Sequence, residues 1–169
     1  ALTRDGILYT WGDNSKGQLG SGNSASALAY STRPVTVAGE NNSSKSLSEM
    51  LAEKNESISN IVAGRDHTLA VSNQGNLYSW GANTYGQLGV NSRDNRYFPV
   101  QVKGYNGGGY LTDVILIGAG AEHSLAVRTD GSVWSWGRNN KGQLGQSTNG
   151  VNNTYKDMQT PDRVLKGEY

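Results

Sequence analysis

The chain has no cysteine, which excludes disulfide bonds and thiolate chemistry. It has one phenylalanine, three prolines and two histidines. Two histidines in separate repeats are too few for a metal site, which takes three or four converging ligands. No apolar run approaches the length of a helical membrane span, and hydrophobic residues make up only 35% at a mean hydropathy of −0.59. An excess of either charge is missing too, since 15 Lys and Arg face 14 Asp and Glu for a net charge of +1. A nucleic-acid footprint needs cations clustered along one face, and no such stripe exists. The expectation is therefore no metal, no cofactor, no nucleic acid and no membrane insertion.

What the chain does have is glycine, 23 residues of it, and a sentence written three times. Gly6–Gly20 reads GILYTWGDNSKGQLG, Gly75–Gly89 reads GNLYSWGANTYGQLG, and Gly131–Gly145 reads GSVWSWGRNNKGQLG. A second element precedes two of them, as Ala63-Gly64-Arg65-Asp66-His67-Thr68-Leu69-Ala70-Val71 and Ala119-Gly120-Ala121-Glu122-His123-Ser124-Leu125-Ala126-Val127. The motif-bearing stretches are 6–20, 63–89 and 119–145. A residue recurring at one place in every copy is expected to build the repeat. That assigns structural work to Trp11, Gly12, Gly17 and Gln18, to Trp80, Gly81, Gly86 and Gln87, and to Trp136, Gly137, Gly142 and Gln143.

Local patterning predicts strands. Apolar and small residues alternate with a period of two in Leu69–Val71 and Leu77–Trp80, as strands in layered sheets require. The loops between such runs end on a glycine at the same place, Gly6, Gly75 or Gly131, which suits a hairpin needing positive φ there. Large flat aromatics in the second strand of each hairpin suit packing between neighbouring sheets.

The pattern A-G-x-x-H-[ST]-L-A-V followed by W-G-x-N-x-x-G-Q-L-G resembles the repeat of the regulator of chromosome condensation family, over essentially the whole chain. The resemblance implies an all-β fold, a β-propeller whose full ring has six or seven blades of about four antiparallel strands. Three repeats make a partial propeller of about three four-stranded blades, a single segment over 1–169. Ala1-Leu2 aligns with Ala70-Val71, so the chain opens midway through a strand. At the far end Thr160-Pro161-Asp162-Arg163-Val164-Leu165-Lys166 matches Phe98–Lys103 and stops where a new repeat would start. The expectation is a slice of a larger propeller, whose missing blades come from the same parent chain or from a second copy. Open sheet edges also predict self-association.

The first connection exceeds the second because Gly6 to Gly75 spans 69 residues and Gly75 to Gly131 spans 56. The excess is an insertion at about 40–57. Ser46 and Glu49 fit a capping box, with Leu47, Met50, Leu51 and Lys54 on one helical face.

Three constellations invite a chemical reading. The glycine spacing at Gly12 and Gly17, repeated at Gly81 and Gly86 and at Gly137 and Gly142, is that of a phosphate loop. In every copy Gln follows where that motif requires Lys and then Ser or Thr. Asp66-His67-Thr68 and Glu122-His123-Ser124 hold an acid, a base and a hydroxyl, but adjacent strand side chains point to opposite faces and cannot form a relay. Each imidazole is instead expected to hydrogen-bond backbone within its own blade. In plant ultraviolet photoreceptors of the family, the positions before the histidine carry clustered Trp and Arg. Here they are Arg65, Asp66, Ala121 and Glu122, so a light sensor is not expected.

The resemblance does suggest a partner face. In β-lactamase inhibitors of this family, the two residues before the histidine line the surface that meets the partner. Carried over, this implicates Arg65, Asp66, Ala121 and Glu122, with cross-blade pairing of Arg65 and Glu122 as the purely structural alternative. The functional expectation is a non-catalytic protein- or glycan-binding module of a larger bacterial extracellular or cell-surface protein, to whose repeats this chain bears a resemblance. The alternative is an intracellular scaffold or a guanine-nucleotide exchange factor for a small GTPase. No enzyme is expected.

Overall fold

The computed structural model describes residues 1–24, 26–40, 43–146 and 155–164. Residues 41 and 42 of the expected insertion, and Leu165 and Lys166 of the terminal match, lie outside the described residues. Three antiparallel sheets follow one another along the chain. The first pairs β1 (Tyr9–Asp13) with β2 (Tyr30–Thr36). The second is a meander of β3 (Ile58–Ala63), β4 (His67–Ser72), β5 (Leu77–Gly81) and β6 (Arg96–Gln101). The third repeats it as β7 (Val114–Ala119), β8 (His123–Arg128), β9 (Val133–Gly137) and β10 (Met158–Arg163). This is the all-β architecture of propeller blades, covering part of a ring. The second and third sheets have the expected four strands, and the first holds β1 and β2. Ala1 exchanges main-chain bonds with Tyr9, and Leu2 bridges to Leu8.

The period-two pattern becomes a sandwich of sheets. Every residue of β4 and β5 is buried, because each of these strands is covered on both faces. Ala70, Tyr78 and Trp80 face the first sheet, where they join Leu8, Val37 and Ile58 in one core layer. Their sequence neighbours Leu69, Val71 and Leu77 face the other way and join Val102, Val114, Ala126 and Trp136 in a second layer. Alternation therefore means alternate blade boundaries, with little of either strand left for solvent.

The inserted segment contributes to the first layer. Helix α1 (Leu47–Ala52) starts on Ser46, whose hydroxyl accepts from Glu49 N–H while the Glu49 carboxylate accepts from Ser46 N–H. This reciprocal cap lets a six-residue helix stand where length alone would not sustain it. Leu47 and Leu51 are buried in the core layer, and the Ser48 hydroxyl donates to Gly6 C=O at 2.9 Å. Lys54 lies beyond the helix end and is exposed. The hairpin glycines adopt the expected positive φ, from 76° to 80°.

Candidate partner-binding face

The repeated residues join one blade to the next. His67 sits in the second sheet, yet its Nε2 lies 3.0 Å from Ser124 Oγ in the third. The Ser124 hydroxyl gives its own proton to Gln87 C=O at 2.7 Å, so the imidazole donates from Nε2 and its Nδ1 is bare. That Nδ1 is buried without a hydrogen-bond partner. Burial, with a smaller push from the charge on His123, lowers His67 from its ordinary 6.5 to about 4, against a weaker upward pull from Asp66. The expected bond from the imidazole to backbone of its own blade is thus corrected. The ring instead lies over Gly64, where a Cβ would stand 2.2 Å from His67 Cε1, and is directed outward across the blade boundary. Gly120 and His123 repeat this arrangement, a Cβ at Gly120 falling 2.1 Å from His123 Cε1, which explains the A-G-x-x-H spacing.

The tryptophans lock the same boundary. Trp136 Nε1–H donates to Gln87 C=O at 2.8 Å, and Trp80 Nε1–H donates to Gln18 C=O at 3.0 Å. Each indole rests on the last glycine of the preceding G-Q-L-G, Gly89 or Gly20, where any Cβ would come within 2.8 Å of the ring. The loop itself is tied by its asparagine. Asn83 accepts from Leu88 N–H and donates to the carbonyls of Ser92 and Asp94. Asn14 and Asn139 accept likewise from Leu19 and Leu144. The glutamines close the turn, each Oε1 accepting a backbone N–H two residues earlier, from Lys16, Tyr85 or Lys141. The phosphate-loop glycines thus have structural contacts: a Cβ at Gly17 or Gly86 would stand 2.6 Å from the next blade's outer-strand backbone.

Beside this scaffold, the loops at the start of β4 and β8 present charge. Arg65 is exposed; its Nε donates to Asp66 at 3.0 Å and a terminal nitrogen donates to Glu122. Glu122 also accepts from Arg138, whose guanidinium lies 4.7 Å from the centre of the Tyr85 ring. The hydrogen bond from Arg138, with the charges of Arg138 and Arg65, holds the Glu122 carboxyl below the usual carboxylate range. Arg138 and Arg65 are raised in turn, chiefly by their hydrogen bonds to Glu122 and Asp66 respectively. Ala121 is exposed beside them, and its C=O accepts weakly from Arg65 N–H at 3.4 Å. The structure therefore brings Arg65, Asp66, Ala121 and Glu122 together at one end of two adjacent blades.

Sequence reading missed Arg138 and Tyr85. Both stand at variable places of the repeated loop: the x of W-G-x-N reads Asp13, Ala82 and Arg138, and Tyr85 precedes the central glycine. A position free to vary inside a fixed frame is the signal that could have found them. Among the described residues, no group of three or more His, Cys, Asp or Glu could hold a metal ion.

Fold and face together define a blade-repeat propeller segment with a pre-ordered charged surface. The sequence profile of the regulator of chromosome condensation (RCC1) repeat matches residues 5–71, 74–127 and 130–167, and a second profile of that repeat matches 58–87 and 114–143. The chain belongs to the RCC1 repeat family. It is 33% identical over 86% of its length to the ultraviolet-B receptor UVR8 of Arabidopsis thaliana, of which it spans 28%. It is 33% identical over 88% of its length to the zebrafish RCC2 homolog, spanning 26% of it. The human probable E3 ubiquitin-protein ligase HERC3 matches 98% of the chain at 31%, which corresponds to 13% of HERC3. Among solved structures, yeast RCC1 (Prp20) bound to Kap60 superimposes on 98% of the chain with a TM-score of 0.76 and 25% identity, the chain covering 34% of it. Human WBSCR16 matches in fold, with a TM-score of 0.71 at 23% identity over 96% of the chain and 35% of that structure. The chain thus spans about a third or less of these relatives.

Proposed function

We propose that the chain is a non-catalytic protein-binding segment of a larger propeller, engaging its partner through the face formed by Arg65, Asp66, Ala121 and Glu122. The observation that carries this reading is Glu122 held between Arg65 and Arg138. Three charged side chains fixed against one another at a rim cost little further ordering when a partner arrives. Tyr85, stacked on Arg138, adds the aromatic contact that such a face needs for strong hot spots. Proteins of similar fold bind proteins: yeast RCC1 is seen with Kap60, and Prp20p has binding properties to Gsp1p and histones.

The named relatives come from a plant, animals and yeast, and lend no support to the bacterial, extracellular setting expected from the repeats. The second reading, an intracellular scaffold or an exchange factor for a small GTPase, is in keeping with the likeness to Prp20p, which has binding properties to Gsp1p and histones.

A photo-crosslinking residue at Ala121, compared with one at Asp130 at the opposite end of the strands, tests the face in eukaryotic cell extract. The expected result is a discrete protein adduct at position 121 that disappears with Arg65→Glu and is absent at position 130. Equal adducts at both positions, or adducts indifferent to Arg65→Glu, sink the assignment.

A further inference from the structure

Ion pairs at the two ends of the blades are built with opposite polarity. Beside the starts of β4 and β8 they form an alternating row across the boundary between the second and third sheets. Asp66 accepts from Arg65, Arg65 reaches on to Glu122, and Glu122 accepts a second guanidinium from Arg138. Farther along, the charge of Asp157 acts on Arg138, and the Asp157 carboxylate stands 4.0 Å from Arg93. By count these three cations and three anions cancel.

By exposure they do not. The side chains of Arg65, Arg138 and Arg93 are 61%, 33% and 52% exposed, against 31%, 10% and 22% for Asp66, Glu122 and Asp157. In every pair the carboxylate is the deeper member. Both Glu122 oxygens are occupied, one by each guanidinium, and one Asp157 oxygen accepts from Asn139 N–H at 2.9 Å. The arginines keep donors to spare: Arg65 spends its Nε and one terminal nitrogen on these acids, and a guanidinium carries five N–H groups. At the opposite end of the strands the order reverses, with Arg128 at 27% beneath Asp113 at 56% and Asp130 at 58%. A molecule approaching the first end meets cations, and one approaching the second meets anions.

Resting on the assignment of this face as the binding surface, we propose that its partner is an acidic protein segment, whose carboxylates take the outward N–H groups of Arg65, Arg138 and Arg93. Guanidinium and carboxylate form the stronger, charge-assisted class of hydrogen bond. The acids beneath hold the arginines in place, and Tyr85 supports the guanidinium of Arg138, so a partner orders little when it binds. A nucleic-acid backbone fits less well, because it needs a continuous basic track. Here the row stops after three arginines, the neighbouring Asp94 is exposed, and the whole chain carries a net charge of only +1.

The probe is a fluorescein-labelled octaglutamate peptide, followed by anisotropy at about 50 mM salt, where charges are weakly screened. The expected result is saturable binding that weakens about threefold or more in Arg65→Gln and in Arg93→Gln, and further in the double variant. Arg93→Gln gives up a single contact at 4.0 Å and leaves the fold in place. Arg33→Gln, at an exposed arginine on β2 outside the row, leaves binding unchanged. No saturation, an equal loss in Arg33→Gln, or tighter binding of octathymidylate overturns the proposal. Excess octaglutamate is then added to the crosslinking at Ala121, where an acidic partner requires that the protein adduct disappear. An adduct that survives leaves the binding face standing and overturns the acidic partner alone, whereas no adduct in the absence of peptide removes the face and the proposal with it.

Discussion

His67 and Ser124 stand 57 residues apart in sequence and 3.0 Å apart in space, and the bond between them crosses from one blade to the next. Replacing Ser124 with Ala leaves the His67 N–H buried without an acceptor, while Gln87 C=O keeps its donor from Trp136. An orphaned buried donor costs about 1–3 kcal/mol. Urea unfolding of Ser124→Ala is expected to show a lowered midpoint at unchanged slope. A midpoint equal to wild type refutes the contribution of this bond.

The same histidine makes stability depend on pH. Its folded value of about 4 lies below its ordinary 6.5, so the fold prefers the neutral ring. Above about pH 6.5 both states are neutral and the contribution is complete. As pH falls from about 6.5 to about 4 the unfolded chain takes up a proton that the folded chain refuses, and stability declines by about 3 kcal/mol. Denaturation at pH 7 and at pH 4.5 measures this, and His67→Gln, which keeps a donor but does not titrate, flattens the dependence. An equally steep loss in that variant assigns the effect elsewhere.

Gly64 and His67 form a close-packed pair. Gly64→Ala places a methyl 2.2 Å from the ring and is expected to cost about 1–3 kcal/mol through forced displacement. In the His67→Ala background the ring clash is gone and the same substitution costs less, with the Gly120 C=O, 2.6 Å from the added Cβ, left as the remaining obstacle. The two penalties are non-additive in a double-mutant cycle, and strict additivity contradicts the packing described.

Three tryptophans share one motif but not one environment. Trp136→Phe loses the bond to Gln87 C=O and part of a fully buried ring, a cost of about 2 kcal/mol. Trp11→Phe, at an exposed position, stays within about 0.5 kcal/mol of wild type. Unfolding midpoints of the two variants separate these outcomes, and equal losses contradict the difference in burial.

Much of this was legible in the chain because it is local. Alternation in Leu77–Trp80, the hairpin glycine at Gly75 and the cap formed by Ser46 and Glu49 each act within a few residues. Pairing of Arg65 with Glu122 was legible for another reason: nearly equivalent positions of adjacent repeats become neighbours when blades stack. The partner of His67 was not legible, since a ring lying on Gly64 is directed out of its own sheet toward a hydroxyl in the next. Arg138 and Tyr85 escaped notice because they occupy the motif's variable places, and only their convergence on Glu122 and on each other gives them meaning.

By itself the sequence determined the repeat, and with it the blade. Recurrence at 6–20, 63–89 and 119–145 specifies the same strands and the same tied loop wherever it occurs. Only the tertiary structure decided how those copies differ. Trp11, Trp80 and Trp136 read alike, yet two are sealed under a neighbouring blade and one faces an open cleft. Burial and hydrogen-bond satisfaction belong to a residue together with whatever is packed against it, so identical motifs carry different energies at the middle and at the edge of an array.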